Sequence, residues 1–390
     1  MERTQPIIAG VVTALVGFAS SFTVVLAGLR AVGADERQAA SGLMALCVAV
    51  GAVSIVLGLR YRMPIAIAWS TPGAALLLTA DARFAEAVGA FVVCGLLIMA
   101  AGLIPWLSRA IAAIPGPIAA AMLAGVLLKL CLAPVQAMLD VPYLAGPVIL
   151  VWALLYRFAR TWAVPGALAT AAAVIAIAYS PGDLSLVPVV EITLPAFSLS
   201  AVVGIGVPLF LVTMAAQNVP GMAVLSGYGY RPPLRGVLLA TGAASALGGP
   251  FGGHAINLAA ITAALAASPE AAPDPSRRWI ASVTAGVSMI GLGLLSSAAA
   301  ALVLLSPPVL VTAVAGLALF GALGSALSSA FTEAHGREGA VVTFAVTASG
   351  VSWLSVGSAF WGLVAGGLMH LLLRRAQAAG LRSTLPTDSR

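Results

Sequence analysis

The chain of 390 residues predicts an all-α polytopic membrane protein. About fourteen transmembrane segments are expected, forming two inverted seven-span repeats in which the third and tenth spans are discontinuous. Three observations carry that expectation. Hydrophobic residues make up 61% of the chain and charged residues 8%, and the charges gather in short clusters between long apolar runs. Arginine is shared unequally between alternate loops. Two segments at matching places in the two halves carry Gly, Pro and small polar residues where a spanning helix would have Leu or Val.

The stretches 7–29, 38–58, 84–104, 197–218, 279–305 and 355–373 each approach or exceed the roughly 20 apolar residues that a helix needs to cross a hydrocarbon core of about 30 Å. The remaining apolar length divides at turns into spans near 111–131, 142–156, 162–179, 234–249, 308–330 and 338–351. Two shorter pieces, 65–80 and 251–267, complete the count. No leading apolar segment followed by a small-residue cleavage site and a polar mature chain is present, so the N-terminus does not read as a removed signal peptide.

Lys and Arg favour the cytoplasmic side of short loops. With the N-terminus inside, the internal loops and tails hold Arg3, Arg60, Arg62, Arg109, Arg157, Arg160, Arg231, Arg235, Arg277, Arg278, Arg337, Arg374, Arg375, Arg382 and Arg390. The external side holds Arg30, Arg37, Arg83 and Lys129. One missed span would reverse every later loop, so the bias supports the count and places both termini in the cytoplasm. The net charge of +6 belongs to this bias; no basic run interleaved with aromatics points to nucleic acid. Cys47, Cys94 and Cys131 lie in separate apolar runs without metal-ligand spacing and read as buried filler. The abundant Ala and Gly let neighbouring helices approach closely.

Residues 1–180 form the first repeat and 190–375 the second, with 376–390 as a polar tail. In the first, Met63 to Trp69 reads as extended chain and Ser70-Thr71-Pro72-Gly73 as a helix start, with Ser70 or Thr71 as cap and a short helix over 73–80. In the second, Gly248-Gly249-Pro250-Phe251-Gly252-Gly253 interrupts the helix and leads into His254-Ala255-Ile256-Asn257, with Asn257 as the cap of another short helix. An odd number of spans per half orients the repeats oppositely, so the interruptions meet near the midplane. That is the pattern of a secondary transporter site made from discontinuous helices. Helix N-termini there suit an anion. The competing view is two ordinary kinked helices.

Polar residues at depth extend the site. Gln217 and Asn218 carry donors and acceptors that could orient a carboxylate, or else serve as glue between helices. Ser20, Ser21 and Thr23 occupy the corresponding part of the first span. His254 sits at the broken segment, where an imidazole can exchange a proton near neutral pH or simply bond structurally. The acidic residues do not reach mid-depth: Asp140, Asp183 and Glu191 fall near external ends, while Glu333 and Glu338 flank an internal loop containing His335. Glu333 reads as a loop residue or a gate. A membrane enzyme would need a catalytic triad, metal-ligand set or phosphate loop, and none is evident. A structural or receptor protein would need neither broken span.

Together, Ala19-Ser20-Ser21-Phe22, Ala68-Trp69-Ser70-Thr71-Pro72-Gly73, Ala216-Gln217-Asn218-Val219-Pro220-Gly221 and the run from Gly252 to Thr262 resemble the benzoate/proton symporter family of bacterial inner membranes over essentially the whole chain. That family is related in fold to nucleobase and anion transporters. The resemblance implies a core domain from 5–104 and 197–305 and a gate domain from 108–180 and 307–373. It implies proton-coupled uptake of benzoate or a related aromatic carboxylate, no cofactor beyond protons, and a homodimer through the gate. Substrate contacts are expected from Ser20, Ser21, Trp69, Ser70, Thr71, Gly73, Gln217, Asn218, Phe251, His254 and Asn257, with Phe22 as a further ring contact and His254 as proton carrier. Nucleobase relatives often carry acidic residues in the eighth and tenth spans; amides and imidazole here fit a carboxylate substrate better. A transporter of the same fold for another small anion or a nucleobase is the alternative.

Overall fold

A computed structural model describes residues 4–104, 115–179, 187–259, 261–305, 307–332, 336–351, 353 and 358–383. In chain order the first half comprises α1 (Gln5–Ala19), α2 (Phe22–Ala31), α3 (Glu36–Tyr61), β1 (Ile67–Trp69), α4 (Thr71–Leu77), α5 (Phe84–Leu103), α6 (Gly116–Asp140), α7 (Pro142–Phe158) and α8 (Ala163–Tyr179). The second comprises α9 (Leu199–Gly227), α10 (Leu234–Gly248), β2 (Ile256–Leu258), α11 (Ile261–Ala267), α12 (Trp279–Gly293), α13 (Ser296–Leu305), α14 (Pro308–Phe331), α15 (Arg337–Ala348) and α16 (Ser358–Ser383). Six of the described spans are long and apolar enough to cross a bilayer unaided.

The chain ends of these helices segregate to two sides. On one, Gln5 bonds to the Glu270 carbonyl, Tyr230 donates to the Pro275 carbonyl at 2.7 Å, and the Arg62 guanidinium stacks 4.3 Å from the Trp279 ring centroid. On the other, Arg37 pairs with Glu191, Ser41 donates to the Phe251 carbonyl, and the extended segment joining the repeats bonds to Pro250 and Ala85. The chain therefore crosses between these two faces as the alternating loops require.

Internal symmetry is visible in the packing. In α3, Gly51 meets Gly286 of α12 backbone to backbone, and in α10, Gly242 meets Gly95 of α5 in the same way. These two crossings relate the second span to the ninth and the fourth to the eleventh, as seven-span repeats demand. Spans 5, 6, 7 and 12 add a separate apolar cluster of Ala137, Val148, Ile175, Leu310, Val314 and Leu317.

Local chemistry explains the irregular elements. Ser20 and Ser21 both donate to the Gly17 carbonyl, which diverts it from the helical ladder and bends the first span between α1 and α2. In α9, residues Met214–Asn218 form a widened π turn just ahead of Pro220, which has no N–H to return to the Ala216 carbonyl. At the far end of α11 the buried Arg278 donates to the carbonyls of Ala267 and Ala272, a cation closing a helix C-terminus.

The structure corrects three expectations. Lys129 does not lie at an external loop: α6 carries it inside the fifth span, 11 residues before Asp140. Span 8 does not stop at 218 but continues to Gly227, so Gln217 and Asn218 lie within the helix. Asn257 caps no helix, because it sits in β2 and the short helix starts later, at Ile261. The helix of the last span, α16, runs on into the tail as far as Ser383. Arg3, Arg109, Asp183, Glu333, His335 and Arg390 lie outside the described residues.

Candidate functional site

The two interruptions form one object. β1 and β2 pair antiparallel with Ile67 opposite Leu258, Ala68 opposite Asn257 and Trp69 opposite Ile256. One further bond extends the pair at each end, Ser70 N to the Ala255 carbonyl at 2.9 Å and Ala259 N to the Ala66 carbonyl at 3.0 Å. Pro64 and the Gly-rich approach to β2 disfavour helix here, and backbone this deep must be satisfied within the protein.

A hydroxyl from each half anchors each strand. Ser54 of α3 accepts from Ile67 N at 3.1 Å, and Ser245 of α10 accepts from Ile256 N at 2.9 Å. Both serines are buried. Sequence reading missed them, since a lone Ser in an apolar helix is unremarkable until its partner strand is placed. Ser54→Ala and Ser245→Ala each leave a buried N–H without its acceptor. Each is expected to lower stability by about 1–3 kcal/mol, with Ser→Thr largely sparing it, as thermal unfolding in detergent would show.

Around this pair the structure gathers most of the expected residues. Ser70 caps α4 by accepting from Gly73 N at 3.2 Å, and Thr213 of α9 donates to the same hydroxyl at 2.8 Å. Asn218 Oδ1 accepts from Leu258 N at 3.0 Å, tying span 8 to β2. The Asn257 amide donates to the Leu258 carbonyl, and its Oδ1 is buried without a partner. Trp69 Nε1 donates to Ser21 at 2.9 Å, and its ring meets Phe18 edge-on, 6.0 Å between centroids; Phe18 in turn stacks on Phe22 at 5.0 Å. Gln217 lies half-buried on the same turn as Asn218. Thr213 and Phe18 are additions that sequence reading did not select; a Thr and a Phe within apolar runs give no signal alone.

The amides at the start of α4 are largely engaged or absent, which narrows what the helix offers an anion. Pro72 has no N–H, Gly73 N is taken by Ser70 Oγ, and Ala74 N by the Ser70 carbonyl. Thr71 N is the amide left open in that turn.

Two expected contacts are not brought to this cluster. Phe251 ends span 9 with its carbonyl on Ser41, five residues before β2 begins. His254 is buried and turns toward span 4, its ring 6.2 Å from that of Phe91; Nδ1 lies 3.2 Å from the Ala255 carbonyl and Nε2 has no partner.

A hollow of about 30 Å³ opens beside β1, lined among others by Thr13, Gly17, Ser21, Ser54, Trp69 and Thr262. It has room for a water or two, whereas cavities that take benzene measure about 150 Å³. Any aromatic acid held here requires the surrounding spans to part. Among the described residues, no three His, Cys, Asp or Glu side chains gather to hold a metal ion.

A family profile described as benzoate membrane transport protein matches residues 2–372. The chain is 38% identical over 375 residues to inner membrane protein YdcO of Escherichia coli (strain K12), covering 94% of this chain and 95% of that one. It is 29% identical over 380 residues to the benzoate membrane transport protein of Acinetobacter baylyi, covering 95% and 96%. Among solved structures, the transmembrane domain of the cyanobacterial bicarbonate transporter BicA superposes with a TM-score of 0.62 at 17% identity, covering 94% of this chain and 97% of that domain. SLC26A9 superposes with a TM-score of 0.61 at 14% identity, covering 95% and 66%. These two share the fold.

Proposed function

Because the chain belongs to the benzoate membrane transport protein family, we propose that it takes up benzoate or a related aromatic carboxylate, with a proton, by alternating access. It is a multi-pass transport protein of the bacterial inner membrane, not an enzyme. The observation that carries the reading is the antiparallel meeting of two broken spans beside aromatic rings and neutral hydrogen-bonding groups. Among the described residues the buried polar set there contains no Asp or Glu, so nothing repels an incoming carboxylate.

In this reading the carboxylate meets Thr71 N, Ser70 and the amides of Asn218, Gln217 and Asn257, while Trp69 and the Phe18–Phe22 stack hold the ring. Ser20 and Gly73 shape the walls. Phe251 acts from the mouth of the site and not from its centre. His254 is a buried imidazole, a side chain that can take up and release a proton, and it serves as proton carrier through the strand that follows it. The spans around β1 and β2 form a core that moves against a gate built on the apolar cluster of spans 5, 6, 7 and 12.

Uptake of labelled benzoate, a dicarboxylate and uracil into proteoliposomes, with and without an inward proton gradient, tests this. Benzoate uptake driven by the gradient is expected, with the drive lost in His254→Gln. Equal uptake without the gradient overturns symport, and preference for uracil or the dicarboxylate overturns the substrate.

A further inference from the structure

Lysine occurs once in this chain, against 18 arginines, and it stands within a membrane span. Lys129 follows Gly116 by 13 residues and precedes Asp140 by 11 in the continuous helix α6. At 1.5 Å per residue the nearer end is about 16 Å away, beyond the reach of a stretched lysine side chain. Its side chain is exposed, and the ion pairs among the described residues, Arg37 with Glu191 and Arg83 with Glu86, do not include it.

The helix surface around it has two exposed faces. Leu132, Val135 and Leu139 form an apolar one suited to lipid. Gln136 and Asp140, also exposed, follow Lys129 at 7 and 11 residues, which 3.6 residues per turn places within about 20° of it. This polar stripe borders the buried face of Val126, Ala133 and Ala137, by which α6 packs into the protein. A lysine turned to the bilayer centre costs about 3 kcal/mol, and a polar stripe continuing to the helix end would add to that. The same stripe along a water-filled cleft carries no such penalty. α6 also packs on α4 and on the Met214–Asn218 turn, so the helix that carries Lys129 adjoins the elements around the strand pair.

We propose that Lys129 lines the translocation pathway on the side where α6 ends at Asp140, and is the cation that draws the substrate carboxylate toward the strand pair. This rests on the anion-transport reading above. Titratable groups along the approach are Asp140 on α6 itself and Asp81 beyond α4, both exposed; α9 presents none between Leu199 and Gly227.

The test pairs transport with accessibility. Lys129→Gln is expected to raise KM for benzoate about tenfold or more with a smaller change in maximal rate, Lys129→Arg to retain most of the affinity, and Lys129→Glu to abolish uptake. Lys129→Cys, in a protein whose native cysteines Cys47, Cys94 and Cys131 are buried, is expected to react with a membrane-impermeant thiosulfonate from the Asp140 side. Attachment of an aminoethyl group should restore affinity and attachment of a sulfonatoethyl group should not. Resistance of the Lys129→Cys thiol to the hydrophilic reagent, or Lys129→Gln uptake with unchanged KM, overturns the proposal. Reagent access is read without benzoate, so it stands apart from the question of which anion the wild type carries.

Discussion

Asn218→Ala is expected to abolish measurable benzoate uptake, whereas Asn218→Asp keeps the folded site and loses the substrate. The two outcomes separate the residue's two tasks. Asn218 is buried, and its carbonyl oxygen accepts from Leu258 N, fixing span 8 to the strand that opens the tenth span. Alanine leaves that N–H unpaired in a place water does not reach. The cost is about 1–3 kcal/mol, which is about 5- to 150-fold in the population of the correctly paired strand. Aspartate can still accept from Leu258 N, so the strand stays anchored and thermal unfolding in detergent shifts little. It also places a negative charge among groups that are otherwise neutral, where a benzoate carboxylate is repelled. Uptake assays and unfolding curves measured side by side distinguish the two. Normal uptake by Asn218→Asp would remove the anion from this site.

What the sequence made legible, and what it did not, follows from the range of the interactions. The breaks at Pro64 to Gly73 and Gly248 to Asn257 were readable because Pro and repeated Gly exclude regular helix locally, and the structure puts strands β1 and β2 there. Ser70 as helix cap was readable for the same reason, as side chain and amide lie three residues apart. Asn257 was misread because the choice between cap and strand depends on pairing with Ala68, almost two hundred residues away in sequence. Thr213, Ser54 and Ser245 were invisible on the same grounds: each acts on a partner from another span. Lys129 was counted on the external side, at the end of the span near 111–131, because apolar length alone does not mark where one span ends and the next begins. Moving it into α6 leaves Arg30, Arg37 and Arg83 on the external side, so the charge asymmetry that set the topology becomes steeper.

The second large effect is expected at the glycine crossings. A Cβ on Gly51 would stand 2.5 Å from the Gly286 carbonyl oxygen, and one on Gly242 would stand 2.7 Å from the Gly95 carbonyl oxygen. In each case the obstacle is backbone, which moves only if a whole helix moves. Gly51→Val and Gly242→Val should therefore each destabilise the protein by about 3 kcal/mol, the upper part of the range for overpacking. Gly291→Val, on the same helix as Gly286 but with nothing within 4 Å of its added carbon, should be nearly neutral. Because lipid supplies no hydrophobic drive between helices, close approach of small residues holds such crossings together. The two crossings lie at equivalent places in oppositely oriented halves. Matched losses in thermal stability at Gly51 and Gly242 are thus the energetic counterpart of the inverted repeat. A large loss at one site with tolerance at the other would mean that the two halves, though alike in path, bear their load unequally, and that a single crossing holds the strand pair in place.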